Sequence, residues 1–153
     1  MKSALTLSIF FVLTFPLLQA QVLEETRVMS IGSKPSLTIV LPGADTKVAD
    51  AVWKEFIKPY GKVVRVKQSK ENVASDVQIL DIGGVNRLNV YSLSEEVADG
   101  AKMVVWLDMG PDFISSEAYP KEYVAGVKFL KDYAQMVKVN MITTELEEQQ
   151  KVL

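Results

Sequence analysis

The stretch from Leu88 to Gly110 constrains the fold more than any other, because it reads as two strands joined by a turn. Its halves, Leu88 to Glu95 and Ala101 to Met109, are rich in β-branched and aromatic residues, which pack well on a pleated surface. Ala98, Asp99 and Gly100 lie between them, and Asp-Gly suits a type I′ turn, in which both central residues take positive φ. The spacing predicts an antiparallel hairpin. In the second strand Met103, Val105, Leu107 and Met109 share one face, and Val104, Trp106 and Asp108 the other. Side chains alternate along a strand, so apolar residues on both faces call for cover on both sides. This strand is expected in the middle of a sheet.

The N-terminus carries a different signal. Met1, Lys2 and Ser3 form a short basic start, Ala4 to Leu18 is almost wholly apolar, and Leu18-Gln19-Ala20 suits cleavage before Gln21. Residues 1–20 therefore read as a secretory signal peptide. A retained membrane span would want about 20 apolar residues, more than this run supplies. The mature chain is expected to be exported, periplasmic or extracellular, without a stable membrane anchor. Losing Lys2 leaves 16 basic against 19 acidic residues, a net charge near −3 with no basic block, which argues against nucleic acid as a partner. The chain has neither Cys nor His. Disulfides and lipidated Cys are thereby excluded, and so are the usual ligands of zinc, copper and haem and the usual general base.

Along the mature chain, Gln21 to Glu25 reads as a frayed polar start and Gly32 to Pro35 as a turn cluster. Leu37 to Leu41 is a buried-type strand stopped by Pro42 and Gly43. Asp45 or Thr46 can cap a helix whose stripe is Val48, Ala49, Val52, Trp53, Phe56 and Ile57, ended by Pro59 and Gly61. Val63 to Lys67 alternates as a strand with one wet face. Gln68 to Asp76 lacks a period and reads as a loop, and Val77 to Ile82 as a short strand or extended segment. Pro120 suits the first turn of a long last helix. Its stripe of Tyr123, Val127, Leu130, Ala134, Val137 and Met141 can cover a sheet or join a coiled coil. Beyond Met141 the apolar positions shift to a sparser line, Ile142, Leu146 and Leu153, so the helix is expected to leave the domain there. That tail either frays or belongs to a longer helix.

The order of elements gives an α+β domain over residues 21–141, with an antiparallel or mixed sheet, two helices on one face, a loosely ferredoxin-like middle and a long C-terminal helix whose distal part is 142–153. The run Leu41-Pro42-Gly43-Ala44-Asp45 into Trp53, and Trp106-Leu107-Asp108 into Ser115-Ser116-Glu117, resemble a group of uncharacterised secreted proteins of Bacteroidota, in which such a domain precedes a charged coiled coil. The resemblance implies export and a helical tail, and brings no established activity with it.

Candidate chemistry is sparse. Asp108, Asp112 and Glu117 are oxygen donors of the kind hard cations take, but their spacing matches no EF-hand loop; a solvated acidic loop is the expectation. Ser115 and Ser116 lack a Gly-x-Ser-x-Gly or Ser-x-x-Lys context and read as capping residues. Gly83-Gly84 lacks the Lys-Ser/Thr of a phosphate loop and reads as a turn. Trp53 and Trp106 are expected in the core. Lys62, Arg65, Lys67 and Lys70 read as the wet face of a strand. No catalytic, cofactor-binding or metal-ligating residue is assigned and no cofactor is expected. The favoured function is a non-catalytic binding or structural module that meets a protein partner, or a second copy, through Ile142, Leu146 and Leu153. The alternative is an enzyme or small-ligand binder whose carboxylate-based site is assembled from separated residues.

Overall fold

A computed structural model describes residues 20–152; the expected signal peptide, apart from Ala20, and Leu153 lie outside the described residues. The chain runs β1 (Val22–Met29), β2 (Gly32–Pro42), α1 (Thr46–Ile57), β3 (Val64–Arg65), β4 (Asn72–Val77), α2 (Leu80–Gly83), β5 (Leu88–Val97), β6 (Gly100–Asp108) and α3 (Pro120–Val152). The six strands form one sheet in the order β1-β2-β6-β5-β4-β3, with every neighbouring pair antiparallel. The fold is α+β. α1 carries the chain from β2 to the far edge, and β3 to β6 return as a meander that ends against β2. The loose ferredoxin-like likeness extends to helices over an antiparallel sheet and stops at that meander.

β6 sits between β2 and β5, and Ala101 and Met103 to Leu107 are all buried. On the helix side Leu37, Ile39 and Leu41 of β2 pair with Val105, Met103 and Ala101, beneath Ala49, Val52, Trp53 and Ile57 of α1 and Phe129, Leu130, Tyr133 and Val137 of α3. α1 starts where the sequence placed it, with the Asp45 carboxylate accepting the Val48 N–H at 2.7 Å, one of the donors a first turn leaves open. Tyr133 fastens the helices together. Its hydroxyl donates to the Ala49 carbonyl at 2.8 Å, and its ring meets Trp53 edge-on at 4.9 Å between centroids. Burial, with a smaller push from Asp50, drives its phenol far above the ordinary range.

The opposite face is closed by the sheet itself. Arg27 of β1 pairs with Glu95 of β5, although β2 and β6 lie between those strands. In a flat sheet three strand spacings of about 4.8 Å would hold them at least 14 Å apart. Both Glu71 carboxylate oxygens accept the Ser30 N–H, at 2.9 and 3.2 Å, so the tip of the β1–β2 hairpin reaches the segment entering β4. The hairpin therefore arches over the helix-free face. Beneath it Met29, Val104, Trp106 and Phe113 form a second small core, flanked by Tyr91 and Leu93.

The arch is possible because β2 pairs with β6 only from Leu37, opposite Val105, onward, and its earlier residues run clear of β6. The vacated flank of β6 is taken by the loop after it: Phe113 bridges to Asp108, and Ile114 donates to the Leu107 carbonyl at 2.8 Å. The β5–β6 hairpin keeps the expected strands and changes the expected turn. Val97 pairs with Gly100, and neither Ala98 nor Asp99 has positive φ, so no type I′ turn forms. Gly100 is required for another reason: a Cβ there would lie 2.3 Å from the Leu41 carbonyl oxygen, a distance real Cβ atoms do not tolerate. In the first hairpin the turn is Ser30-Ile31, with Met29 opposite Gly32, so the cluster Gly32 to Pro35 lies inside β2.

Four further expectations are corrected. The polar start is β1 from Val22 onward, paired with β2 up to Ile39. Gln68 to Asp76 contains most of β4, and the extended segment expected at Val77 to Ile82 runs into the single turn α2 from Leu80. The strand expected at Val63 to Lys67 contracts to Val64–Arg65. β4 is masked in the sequence by a bulge between Ala74 and Val77, where Asp76 takes φ 53° and its N–H is accepted by the Asn89 side chain at 3.0 Å. A bulge breaks the two-residue period by which a strand is recognised.

Candidate functional site

α3 is built in two parts. From Tyr123 to Met141 one face docks: Gly126, Phe129, Leu130, Tyr133 and Val137 are buried, and Tyr123, Val127, Ala134 and Met141 pack against the same core. Gly126 lets the helix come close, since a Cβ there would stand 3.0 Å from Leu37 and Leu107 methyls. After Met141 every residue from 142 to 152 is exposed.

The apolar side chains of the distal part lie on the opposite side of the helix. At 100° per residue, Val139, Ile142 and Leu146 centre about 180° from Leu130 and Val137. They are 52%, 49% and 54% exposed, and Met136 beside them 40%. Ile142 and Leu146 are thus two of the three expected contact residues on one outward stripe, and Leu153 lies outside the described residues. Sequence reasoning missed Val139 and Met136, because the docking stripe through Val137 and Met141 dominates that stretch. The second line emerges when the helix is read from its far side.

The charges around this stripe change sign along the helix. Lys128, Lys131 and Lys138, with Asp132, precede it; Glu145, Glu147 and Glu148 follow, then Lys151. Lys128 bonds Asp132 at 2.6 Å, while Lys138 and Glu145 are both exposed. Among the described residues neither takes part in a salt bridge.

The carboxylates weighed for chemistry are engaged locally. Asp108 accepts the Gly110 N–H at 2.8 Å and the Asn89 amide at 3.2 Å, and Asp112 accepts the Phe113 N–H at 2.8 Å. Among the described residues no three acidic side chains gather closely enough to hold a metal ion. Ser115 Oγ accepts the Ala118 N–H at 2.9 Å, a turn-capping role. Lys62, Arg65, Lys67 and Lys70 are exposed, and Arg65 donates to the Ser69 carbonyl at 3.0 Å.

Two ionisable groups of β5, Glu95 and Tyr91, are shifted from their ordinary ranges. Partial burial pushes the Glu95 carboxyl up, but hydrogen bonds and charge from Lys102 and Arg27 outweigh it and hold the group below its ordinary range. Tyr91 is pushed up, first by burial and then by Asp108 and Glu71. Tyr91 packs against the second core, and Glu95 is taken up by Arg27 and Lys102. Two open hollows mark the surface elsewhere, one lined by Lys54, Glu55, Lys58 and Lys62 and the other by Tyr60, Gln78 and Asp81. In the first, Glu55 is paired with Lys58 at 3.3 Å.

No protein-family model, curated protein or solved structure matches the chain. Among the described residues no helix is long and apolar enough to cross a membrane.

Proposed function

We propose that the chain is an exported, non-catalytic binding or structural module that presents the outward stripe of α3 to a protein partner or a second copy. One observation carries this reading: past Met141 the helix continues to Val152 with no described residue buried, while Val139, Ile142 and Leu146 align on the side facing away from the domain. An isolated helical segment of this length is marginal in water, so a partner that covers the stripe supplies what the domain does not. Export is supported by the leader pattern of residues 1–20 and by the likeness to secreted Bacteroidota proteins.

Truncation after Met141 tests the assignment. The shortened protein should keep its unfolding free energy within about 0.5 kcal/mol, because the removed residues bury little apolar area. It should also lose any association visible by sedimentation. If truncation unfolds the domain, the distal helix belongs to the core and the proposal ends. Mass spectrometry of the exported protein should find Gln21 at the N-terminus.

A further inference from the structure

We infer that the partner of the outward stripe is a second copy of this chain, packed antiparallel along α3 with its two-fold axis between Asn140 and Met141. This rests on the reading of α3 as the interaction element. Charge and register select this arrangement. With the axis there, Val139 of each copy faces Ile142 of the other, and Gln135 faces Leu146. Lys138 and Glu145, on one flank of the stripe, then meet their opposites across the axis twice. All six of these side chains belong to exposed residues, and the apolar stripe points away from the sheet with Lys138 and Glu145 on its flank, so the second helix approaches without displacing anything packed in the domain.

A parallel pair does not match. It would set Lys138 beside Thr143 and Glu145 beside Gln150, and would lay Glu145, Glu147 and Glu148 of one copy alongside the same residues of the other. Flanking charges of this kind decide orientation in paired helices. The antiparallel arrangement instead sets Glu145, Glu147 and Glu148 of the two copies at opposite ends of the contact and brings Lys138 of each beside Glu145 of the other. Such a contact is isologous, so it closes at two copies.

The overlap from Gln135 to Leu146 covers about 18 Å of helix at 1.5 Å per residue. That is short of a standard interface, so the dimer is weak, reversible and salt-sensitive.

Charge exchange in the full mature protein is the test, read by sedimentation equilibrium over a concentration series at low and high salt. Lys138→Glu and Glu145→Lys should each raise the dissociation constant about tenfold, since each turns two attractions into two repulsions. The double variant should return to within about threefold of the parent. Because the chain has no Cys, a spin label at Lys151→Cys is unique to each copy. The antiparallel pair places the two labels about 30 Å apart, and a parallel pair about 10 Å. A monomer at every concentration overturns the choice of partner. Association with the short label distance, or without rescue by the double variant, overturns the antiparallel register while leaving α3 as the interaction element. Association that survives truncation after Met141 overturns the underlying reading as well.

Discussion

On the helix side of the sheet Trp53 lies among Phe56, Phe129 and Tyr133, supplied by two helices; on the other side Trp106 lies among Met29, Val104 and Phe113, supplied by strands and a loop. Both rings are fully buried, yet the two enclosures are made differently. The first is closed by apolar stripes whose spacing is fixed by their own helices. The second is closed by a hairpin that bends over and is held by polar contacts: Glu71 with the Ser30 N–H at its tip, and Arg27 along β1 with Glu95, whose carboxylate also pairs with Lys102 at 3.2 Å. Apolar area is tolerant of small shifts, whereas a hydrogen-bonded latch is lost whole when one partner goes. The arch is therefore expected to be the more easily loosened half.

The strongest way to break this comparison is to remove each tryptophan. Trp53→Ala and Trp106→Ala should each destabilise by about 3–5 kcal/mol in denaturant unfolding, the usual consequence of emptying a large packed site. Their patterns of amide exchange should differ. Loss of Trp53 should lower protection across α1, α3 and the central strands, and loss of Trp106 first along Thr26 to Ser36. A stability change below about 1 kcal/mol for Trp106→Ala would show that the arch encloses no real core.

A sharper cut is Glu71→Ala, which leaves the Ser30 N–H without its acceptor and should cost about 1–2 kcal/mol. Hydrogen exchange should quicken at the hairpin tip while Ala49 to Trp53 stays protected. Equal loosening of both regions would mean that the two enclosures open together.

The smallest effect concerns pH. Glu95 is held below its ordinary range in the folded protein, so the unfolded chain binds the proton more readily. Its stabilising contribution is full above the unfolded carboxylate value and is lost as pH falls through the folded one. Glu95→Gln should therefore narrow the stability gap between neutral and acidic solution, and the parent-minus-variant difference should shrink on acidification. The side chain is about a third exposed, so the effect is small. A difference independent of pH would remove Glu95 from the latch.

The helix-side core was legible in the sequence because its signals are local. Val48 to Ile57 and Tyr123 to Met141 recur at helical spacing, Asp45 stands at its cap position, and Leu88 to Met109 alternates as paired strands do. The arch was not, because its contacts join distant residues: Arg27 with Glu95 and Ser30 with Glu71 leave no trace in a short window. β4 was hidden by its bulge. Gly100 looked like turn chemistry, yet the Leu41 carbonyl pressing on it comes from a neighbouring strand. On α3, Ile142 and Leu146 were readable as a departure from the docking line. Val139 became visible as their companion once the docked face was fixed.

Because the chain has only two tryptophans and they fall one on each side of the sheet, each enclosure carries its own lamp. The tryptophan emission of a Trp53→Phe protein comes only from beneath the hairpin arch, and that of a Trp106→Phe protein only from between the helices. Following both through the same denaturant series compares the two halves without any attached dye. Superimposed curves would mean a single cooperative unit. An earlier change in the light from Trp106 would mean that the molecule unlatches on one side while the other still holds.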